Sequence, residues 1–562
     1  MRGDLDHEMT KWAVVPPPRA RGLRWVALAV ALAAGCLGAC GGCRSAPSPQ
    51  ARTLPPADAS PTVRLYLITD LAGALEPCGC TKDQLGGLDH FGAWVSSTKG
   101  GAPAALVASA GPLFFMDEKL ASERADQDRA KASTLATVLK GLGFVAFAPG
   151  VNDWAAGGET LATLAKEAGA VPIVGDADLP LARSVVIREV GGADGGALKV
   201  GFVGYGQALD GKDAGNVEEF VRLGTEKAKQ GGANIVVALA AVGRGEAKRI
   251  ADAVPELTAV VVGSRVSNGD ANRRAPQGER VGDVLIVEAS NHLQSVAVLD
   301  LYVREPVAPG QLLKFADATG LELARRREDI AGRIDELHVK IAAWERDRSV
   351  LDTDLQARRH DLAELEHERD SLDAKPPPAT GSFFRFATKE IRESLGKDPT
   401  IEAELGSYYA AVDEHNRVAF KDRLPPPATP TQATYIGVDA CSKCHAGPRE
   451  VWDHTAHATA YATLSTQFKE FNLDCVGCHV TGYEKPGGSA VAHVEKLQNV
   501  QCEVCHGPGS RHALDPNDKS LIVGRPSPSA CLECHHSPHV EQFDPVAKLA
   551  AVLGPGHGMP LK

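Results

Sequence analysis

Four short motifs carry most of the chemistry available to this sequence. Cys441-Ser-Lys-Cys444-His445, Cys475-Val-Gly-Cys478-His479, Cys502-Glu-Val-Cys505-His506 and Cys531-Leu-Glu-Cys534-His535 all follow the pattern C-x-x-C-H. Two thiols one helical turn apart can form thioethers to the two vinyl groups of a haem. The histidine that follows then sits under the iron as proximal ligand. Two C-x-x-C pairs could instead make a four-thiolate zinc site, or redox disulfides. Neither chemistry needs a histidine directly after the second cysteine, and here one follows every time. The pattern predicts four covalently attached haem c, with His445, His479, His506 and His535 on the irons.

The motifs follow one another too closely for each to own a separate apolar core, so the haems are expected to form much of the interior and to pack near one another. Closely packed redox centres imply a conduit for electrons. The second axial ligand is argued by elimination. The chain has only 4 methionines, and Met559 alone lies near the motifs. Histidine is plentiful: His454, His457, His493, His512, His536, His539 and His557 all fall in the same stretch. Most irons should therefore be bis-histidine. His454 and His493 serve equally well as ordinary solvated or hydrogen-bonded side chains.

Tyr435-Ile-Gly-Val-Asp-Ala-Cys441, Trp452-Asp-His-Thr-Ala-His457 and Val500-Gln-Cys502-Glu-Val-Cys505-His506-Gly-Pro-Gly-Ser-Arg-His512 resemble the tetrahaem cytochromes of the hydroxylamine-oxidation pathway. The resemblance covers residues 431–562 and implies a mainly α and irregular fold. It implies His457 and His512 as distal ligands, and His557 stands where another is expected. It also implies that one haem can stay five-coordinate, without saying which.

The N-terminus reads as an address. Arg19, Arg21 and Arg24 flank the apolar stretch Val26 to Leu37, which is too short for a comfortable membrane span. Leu37-Gly38-Ala39-Cys40 resembles a bacterial lipobox, which implies lipidation of Cys40 and removal of the signal peptide 1–40; Cys36 is a weaker candidate. Residues 41–61, rich in Ser, Pro and Ala, read as a flexible tether. The absence of aspartate after Cys40 implies an outer-membrane destination, facing the periplasm. Export suits the motifs, because c-type haem is attached outside the bacterial cytoplasmic membrane. The formal charge of −11 argues against a general nucleic-acid binder. The expected partners are redox proteins of the cell envelope and the membrane under the lipid anchor.

Residues 62–305 alternate short apolar runs with helical patterns. Strands are expected at 63–68, 105–109, 144–148, 199–205, 234–239, 259–262, 284–288 and 296–303, with helices such as 121–139 and 246–253. That alternation indicates a layered α/β fold. Ile68-Thr-Asp70, Gly86-Gly87-Leu88, Val107-Ala-Ser-Ala-Gly111, Pro149-Gly-Val-Asn152-Asp153 and Val261-Val-Gly263-Ser-Arg265 resemble, in order, the motifs of calcineurin-like metallophosphoesterases of the 5′-nucleotidase family. A two-metal hydrolase needs a cluster of His and Asp side chains. Measured against that resemblance, Asp70 survives, but Ala72, Pro112, Asp153, Ala241 and Ser264 stand at positions of metal ligands. Only His90 and His292 occur between residues 46 and 320. The expectation is a phosphoesterase-like scaffold without hydrolysis, serving as a docking module. Cys78 and Cys80 in its first loop read either as a metal or redox pair or as structural thiols.

Residues 320–375 repeat apolar side chains at 4- and 3-residue spacing, from Ile330 through Ile334, Leu337 and Ile341 to Leu365 and Leu372. This predicts a coiled-coil connector, extending about 80 Å as one helix and offering a seam for a homodimer. Arg348, Arg358 and Arg369 interrupt the seam, and an antiparallel hairpin within the chain would satisfy the same pattern. A helical linker, 381–430, should then lead to the haem domain. The whole is expected to be multidomain, an electron carrier, with a haem enzyme acting on a small nitrogen compound at an open iron as the rival reading.

Overall fold

The structure, a computed structural model, describes residues 60–77, 84–174, 179, 182–191, 197–207, 216–267, 270–346, 352–372, 378–536, 540 and 543–560. The signal peptide, Cys40, the tether, Cys78, Cys80 and His539 lie outside the described residues. Among those described, no helix is long and apolar enough to cross a membrane.

Two sheets build the α/β part. The first uses β1 (Val63–Thr69), β2 (Ala104–Gly111), β3 (Phe144–Pro149) and β4 (Val171–Pro172). The second uses β5 (Val186–Gly191), β6 (Ala197–Tyr205), β7 (Ile235–Ala240), β8 (Ala259–Val262), β9 (Glu279–Val281) and β10 (Val284–Val287), in the order β5-β6-β7-β8-β10-β9. The chain then returns to the first sheet with β11 (Ser295–Tyr302), β12 (Ala316–Asp317) and β13 (Phe383–Glu390), giving the order β12-β13-β11-β1-β2-β3-β4. β1, β2, β3 and β4 run parallel, while β11 is antiparallel to both β1 and β13.

Side chains of successive strand residues point to opposite faces, and β1 is buried on both. Val63, Leu65 and Leu67 join Phe202, Val237 and Leu285 of the second sheet in a core between the sheets. Tyr66 and Ile68 face outward into a second core. That outer core is closed by α1 (Leu88–Thr98), α2 (Ala125–Gly141) and α3 (Gly158–Ala168). On the far side, α4 (Val217–Gln230) and α5 (Arg244–Ala253) cover the second sheet through Val221, Ala228, Ala247 and Ile250.

Two readings of the connector need correction. Residues 320–375 are not one long rod. They form α6 (Leu321–Trp344) and α7 (Asp352–Ser371), which fold back on each other. Ile330 and Ile334 pack against Leu365, with Leu337, Leu362 and Leu372 alongside, and Arg326 pairs with Glu368. The apolar positions of the seam meet within the chain, as in the antiparallel hairpin that the same spacing allows. Between the helices, the charged run Glu345-Arg346-Asp347-Arg348 has no apolar residue to continue the seam.

Nor is 381–430 a helical linker beyond a domain ending at 305. Phe384 and Phe386 of β13 are buried in the inter-sheet core, and Phe383 stacks on Tyr302 at 4.3 Å. The hairpin is thus inserted between two paired strands of one sheet. Next comes α8 (Pro399–Ala419), with proline in its first turn and Asp398 capping Thr400 and Ile401. Ile401, Leu405, Tyr408 and Val412 recur at helical spacing and lie in the outer α/β core. A Cβ on Gly92 of α1 would meet Ile401 Cδ1 at 2.1 Å, so the glycine allows the close approach.

Beyond residue 430 the described residues form short helices, turns and a small two-stranded sheet, β14 (Gly554–Pro555) with β15 (Gly558–Met559), beside a small apolar cluster of Phe420, Tyr461, Leu464, Val476, Val480 and Val491. So small a core cannot account for the order of more than a hundred residues by itself.

Candidate functional site

Each C-x-x-C-H motif is wound into a single turn. His445 N–H donates to Cys441 O at 3.0 Å and His535 N–H to Cys531 O at 2.9 Å, while Cys478 N–H reaches Cys475 O at 3.3 Å. The third motif forms the helix Cys502–His506. Such a turn presents two thiols and an imidazole on one side, as the attachment chemistry requires. Every cysteine and histidine of the four motifs, together with His457, His512 and His557, lines one continuous cavity of about 3270 Å³. Pockets for a single small ligand hold about 300–1,000 Å³, so this space suits several large ligands.

The imidazoles are grouped in pairs. His445 lies opposite His512 with ring centres 6.4 Å apart, His535 opposite His457 at 6.2 Å, and His506 opposite His557 at 6.2 Å. A metal–imidazole bond of about 2.0–2.1 Å, with the ring centre roughly 1.1 Å behind its nitrogen, sets two imidazoles on one metal about 6.3 Å apart. The donor set therefore fits iron held between each pair. Among the described residues, His479 alone of the four motif histidines faces no second imidazole. Its Nδ1 donates to Ala460 O at 2.6 Å, which leaves Nε2 with the lone pair a metal needs. His506 and His557 are oriented the same way, by Val523 O at 2.6 Å and Val552 O at 2.8 Å. Burial holds His457, His506 and His535 below the ordinary imidazole pKa, with His535 adding to the effect on His457. That keeps them neutral, the form that binds metal. His535 is also stacked on Phe543 at 4.3 Å.

His493 is engaged elsewhere, its Nε2 donating to Lys421 O at 2.7 Å. His454 Nδ1 donates to Glu450 O at 2.7 Å, and its ring lines the cavity with no imidazole opposite it among the described residues.

Neighbouring motifs approach one another through their cysteines. Cys502 acts electrostatically on the Cys441 thiol, Cys478 on that of Cys534, and Cys531 on that of Cys505. These neighbours link the first motif to the third, the third to the fourth and the fourth to the second.

Two buried side chains within and beside the third motif, whose roles a sequence does not announce, hold this arrangement. Glu503 accepts from the backbone N–H groups of Ile436, Gly437 and Gly509 at 3.0, 2.7 and 2.7 Å. Gln501 accepts from Val438 N–H at 2.6 Å and donates to Lys496 O and Gln498 O. Together they tie the third motif to the strand of chain entering the first. A charged residue between the two cysteines of a motif was the signal that could have pointed to Glu503.

The second motif is anchored to the α/β domain. Asp474, just before Cys475, accepts from Lys131 at 2.7 Å and from Arg124, which stand on and just before α2. Burial alone would raise its carboxyl, but Lys131 and Arg124 outweigh that and hold it well below the usual range. Beside it, Asn416 of α8 donates to Gln127 Oε1 at 2.8 Å and to Phe471 O at 2.9 Å, and Gln127 donates to Asn472 at 3.2 Å. Gln127, Asn416 and Asn472 are all buried.

The loops at the ends of the α/β strands are filled by other contacts. Asp70, 1% exposed, accepts from Ser264 N–H at 2.8 Å and from Arg273 at 2.8 Å. Burial pushes its carboxyl up to about 7 against the pull of Arg273. A Cβ on Gly111 would stand 2.1 Å from Asp70 Oδ1. Asp153 accepts from Leu113, Phe114 and Gly150 N–H groups, and burial raises it to about 7. His90 donates Nδ1 to Gly396 O at 2.6 Å, and His292 meets Asn272 at 3.2 Å. An arginine already neutralises Asp70, and Asp153 is saturated by backbone donors. These residues do not fit a two-metal centre.

Residues 440–507 match the family model described as cytochrome c554 and c-prime. Over 93 residues the chain is 36% identical to cytochrome c-554 of Nitrosomonas europaea, a match covering 14% of this chain and 40% of that protein. The tail is c554-like. The chain thus spans less than half the length of this curated relative. Covalently bound haem c is what the c554-like tail implies, in agreement with the motif geometry. Solved structures similar to the chain include a 5′-nucleotidase precursor from Thermus thermophilus, with TM-score 0.38, 15% identity, 75% of this chain and 69% of that one covered. A calcineurin-like phosphoesterase from Bacillus subtilis gives TM-score 0.36 and 16% identity, over 43% of this chain and 86% of that one.

Proposed function

We propose that this protein is an exported multihaem c-type cytochrome that transfers electrons through four haems in its c554-like tail. The cysteine pairs 441/444, 475/478, 502/505 and 531/534 attach them. His445 with His512, His506 with His557, and His535 with His457 serve three irons, and His479 serves the fourth. The observation that carries this reading is the threefold recurrence of an imidazole pair at metal-bridging separation inside one cavity. Bound there, haem c supplies reversible one-electron chemistry. The chain fixes the tautomers of His479, His506 and His557 through backbone carbonyls and keeps the four sites close together. Lipidation at Cys40 and residence at the outer membrane, facing the periplasm, complete the proposal. The α/β domain acts as a phosphoesterase-like scaffold without hydrolysis. The test is the mass of protein exported from a host competent in cytochrome c maturation. Four added haems support the reading, and an unmodified polypeptide mass ends it.

A second reading rests on His479. With no imidazole opposite it among the described residues, that iron would keep an open position for a small nitrogen compound such as nitrite, hydroxylamine or nitric oxide. A high-spin signal that shifts on adding such a ligand supports it. A wholly low-spin spectrum removes it.

A further inference from the structure

The charges around the second motif come from both domains. Glu76, in the first loop of the α/β domain, accepts on one carboxylate oxygen from Lys469 at 2.8 Å and from the Tyr409 hydroxyl at 2.7 Å. The Lys469 ammonium also stands 4.1 Å from the centre of the Tyr409 ring. Lys469 and Glu76 are each largely buried, at 16% and 22% exposed. The Cys475 thiol lies within the field of Asp474, Lys469, Lys131 and Glu76. Leu75, Glu76 and Phe115 of the α/β domain and Tyr409 of α8 line the same cavity as Cys475, Cys478 and His479. The other three motif histidines are each paired with a histidine of the tail itself. The α/β domain grips the motif of His479 through ion pairs at Asp474.

We propose that the α/β domain walls the pocket of the haem held by Cys475, Cys478 and His479, and that Glu76 and Lys469 set that haem's reduction potential as a mutually compensating charge pair. This rests on the haem reading above and adds a task for the fused domain. The physical reason is Coulombic. At a partly dry site, a unit charge acts far more strongly than in water, and haem potential follows local charge and burial. Removing Glu76 leaves the ammonium unbalanced and favours the reduced iron, which carries one positive charge fewer. Removing Lys469 leaves the carboxylate and favours the oxidised iron. Tyr409, which holds Glu76 through its hydroxyl, is a positioning group and not a catalytic residue.

The test is a redox titration of the full-length haem-loaded protein, following the high-spin signal. Glu76→Gln should raise the potential of that haem, and Lys469→Gln should lower it. The three low-spin haems should move less in both variants. Opposite signs distinguish electrostatic tuning from mere loosening of the pocket, which would move both variants the same way. Shifts of the same sign, or none at the high-spin haem, overturn the pairing while leaving the four-haem reading intact. A protein without haem, or with four low-spin haems, overturns the reading of that site and the proposal with it.

Discussion

Lys131 of α2 holds Asp474 at 2.7 Å, across the junction between the α/β domain and the second haem motif. The junction has a definite acid dependence. A carboxyl held below its unfolded pKa contributes stability that is fully present above that unfolded value, about 4, and lost as pH falls through the folded one. The contact between the domains should therefore survive from neutrality down to about pH 4 and loosen below it. Limited proteolysis around residues 419–434 as pH falls would follow the loosening. Asp474→Asn should abolish this acid step and cost on the order of 2 kcal/mol at neutral pH.

His457 faces His535 from a different part of the tail. Replacing His457 by alanine should leave four haems in the mass spectrum and convert one low-spin iron to high spin. EPR spectra would register the change as a second high-spin species. An unchanged spectrum would show that His457 does not serve that iron.

Glu503 answers three backbone N–H groups with one carboxylate. Leaving several buried donors unmet costs about 1–3 kcal/mol each. Glu503→Ala should therefore destabilise the tail by roughly 3 kcal/mol or more, read by denaturant unfolding of the haem-loaded protein. Glu503→Gln, which keeps one acceptor, should lose less.

Arg273→Ala should give no metal-dependent phosphatase activity, since Asp70 alone cannot hold two cations. Without the guanidinium, burial acts on Asp70 unopposed by its main counter-charge and its pKa rises above about 7. The carboxyl then takes up a proton near neutrality, which keeps the loss of stability below the roughly 3–5 kcal/mol of an unpaired buried charge. Metal-dependent hydrolysis of a nucleotide substrate by either protein would refute the assignment of an inactive scaffold.

How far the sequence could be read follows from how local each feature is. A C-x-x-C-H motif is contiguous, so its chemistry shows in five letters. The strands were legible because their apolar runs are broken by glycine and helical stretches. β13 was hidden because its sheet partners lie on the far side of an inserted hairpin, and its flanking prolines look like a linker. The heptad spacing of α6 and α7 was visible, yet spacing is the same for two chains and for one chain folded back. The solitary position of His479 depends on which imidazoles meet in space. Gln127, Asn416 and Asn472 are ordinary polar letters whose burial only the assembled fold creates.

The amide network of Gln127, Asn416 and Asn472 also bears on the route of electrons. It locks the second motif to a broad protein face, so that end of the tail is shielded from approaching proteins. The run of neighbouring cysteines leads from there to the fourth, third and first motifs. Charge exchanged with an outside protein would therefore enter or leave near His445, His506 or His535, and the iron over His479 would act as a terminus, filled and emptied only by its neighbour.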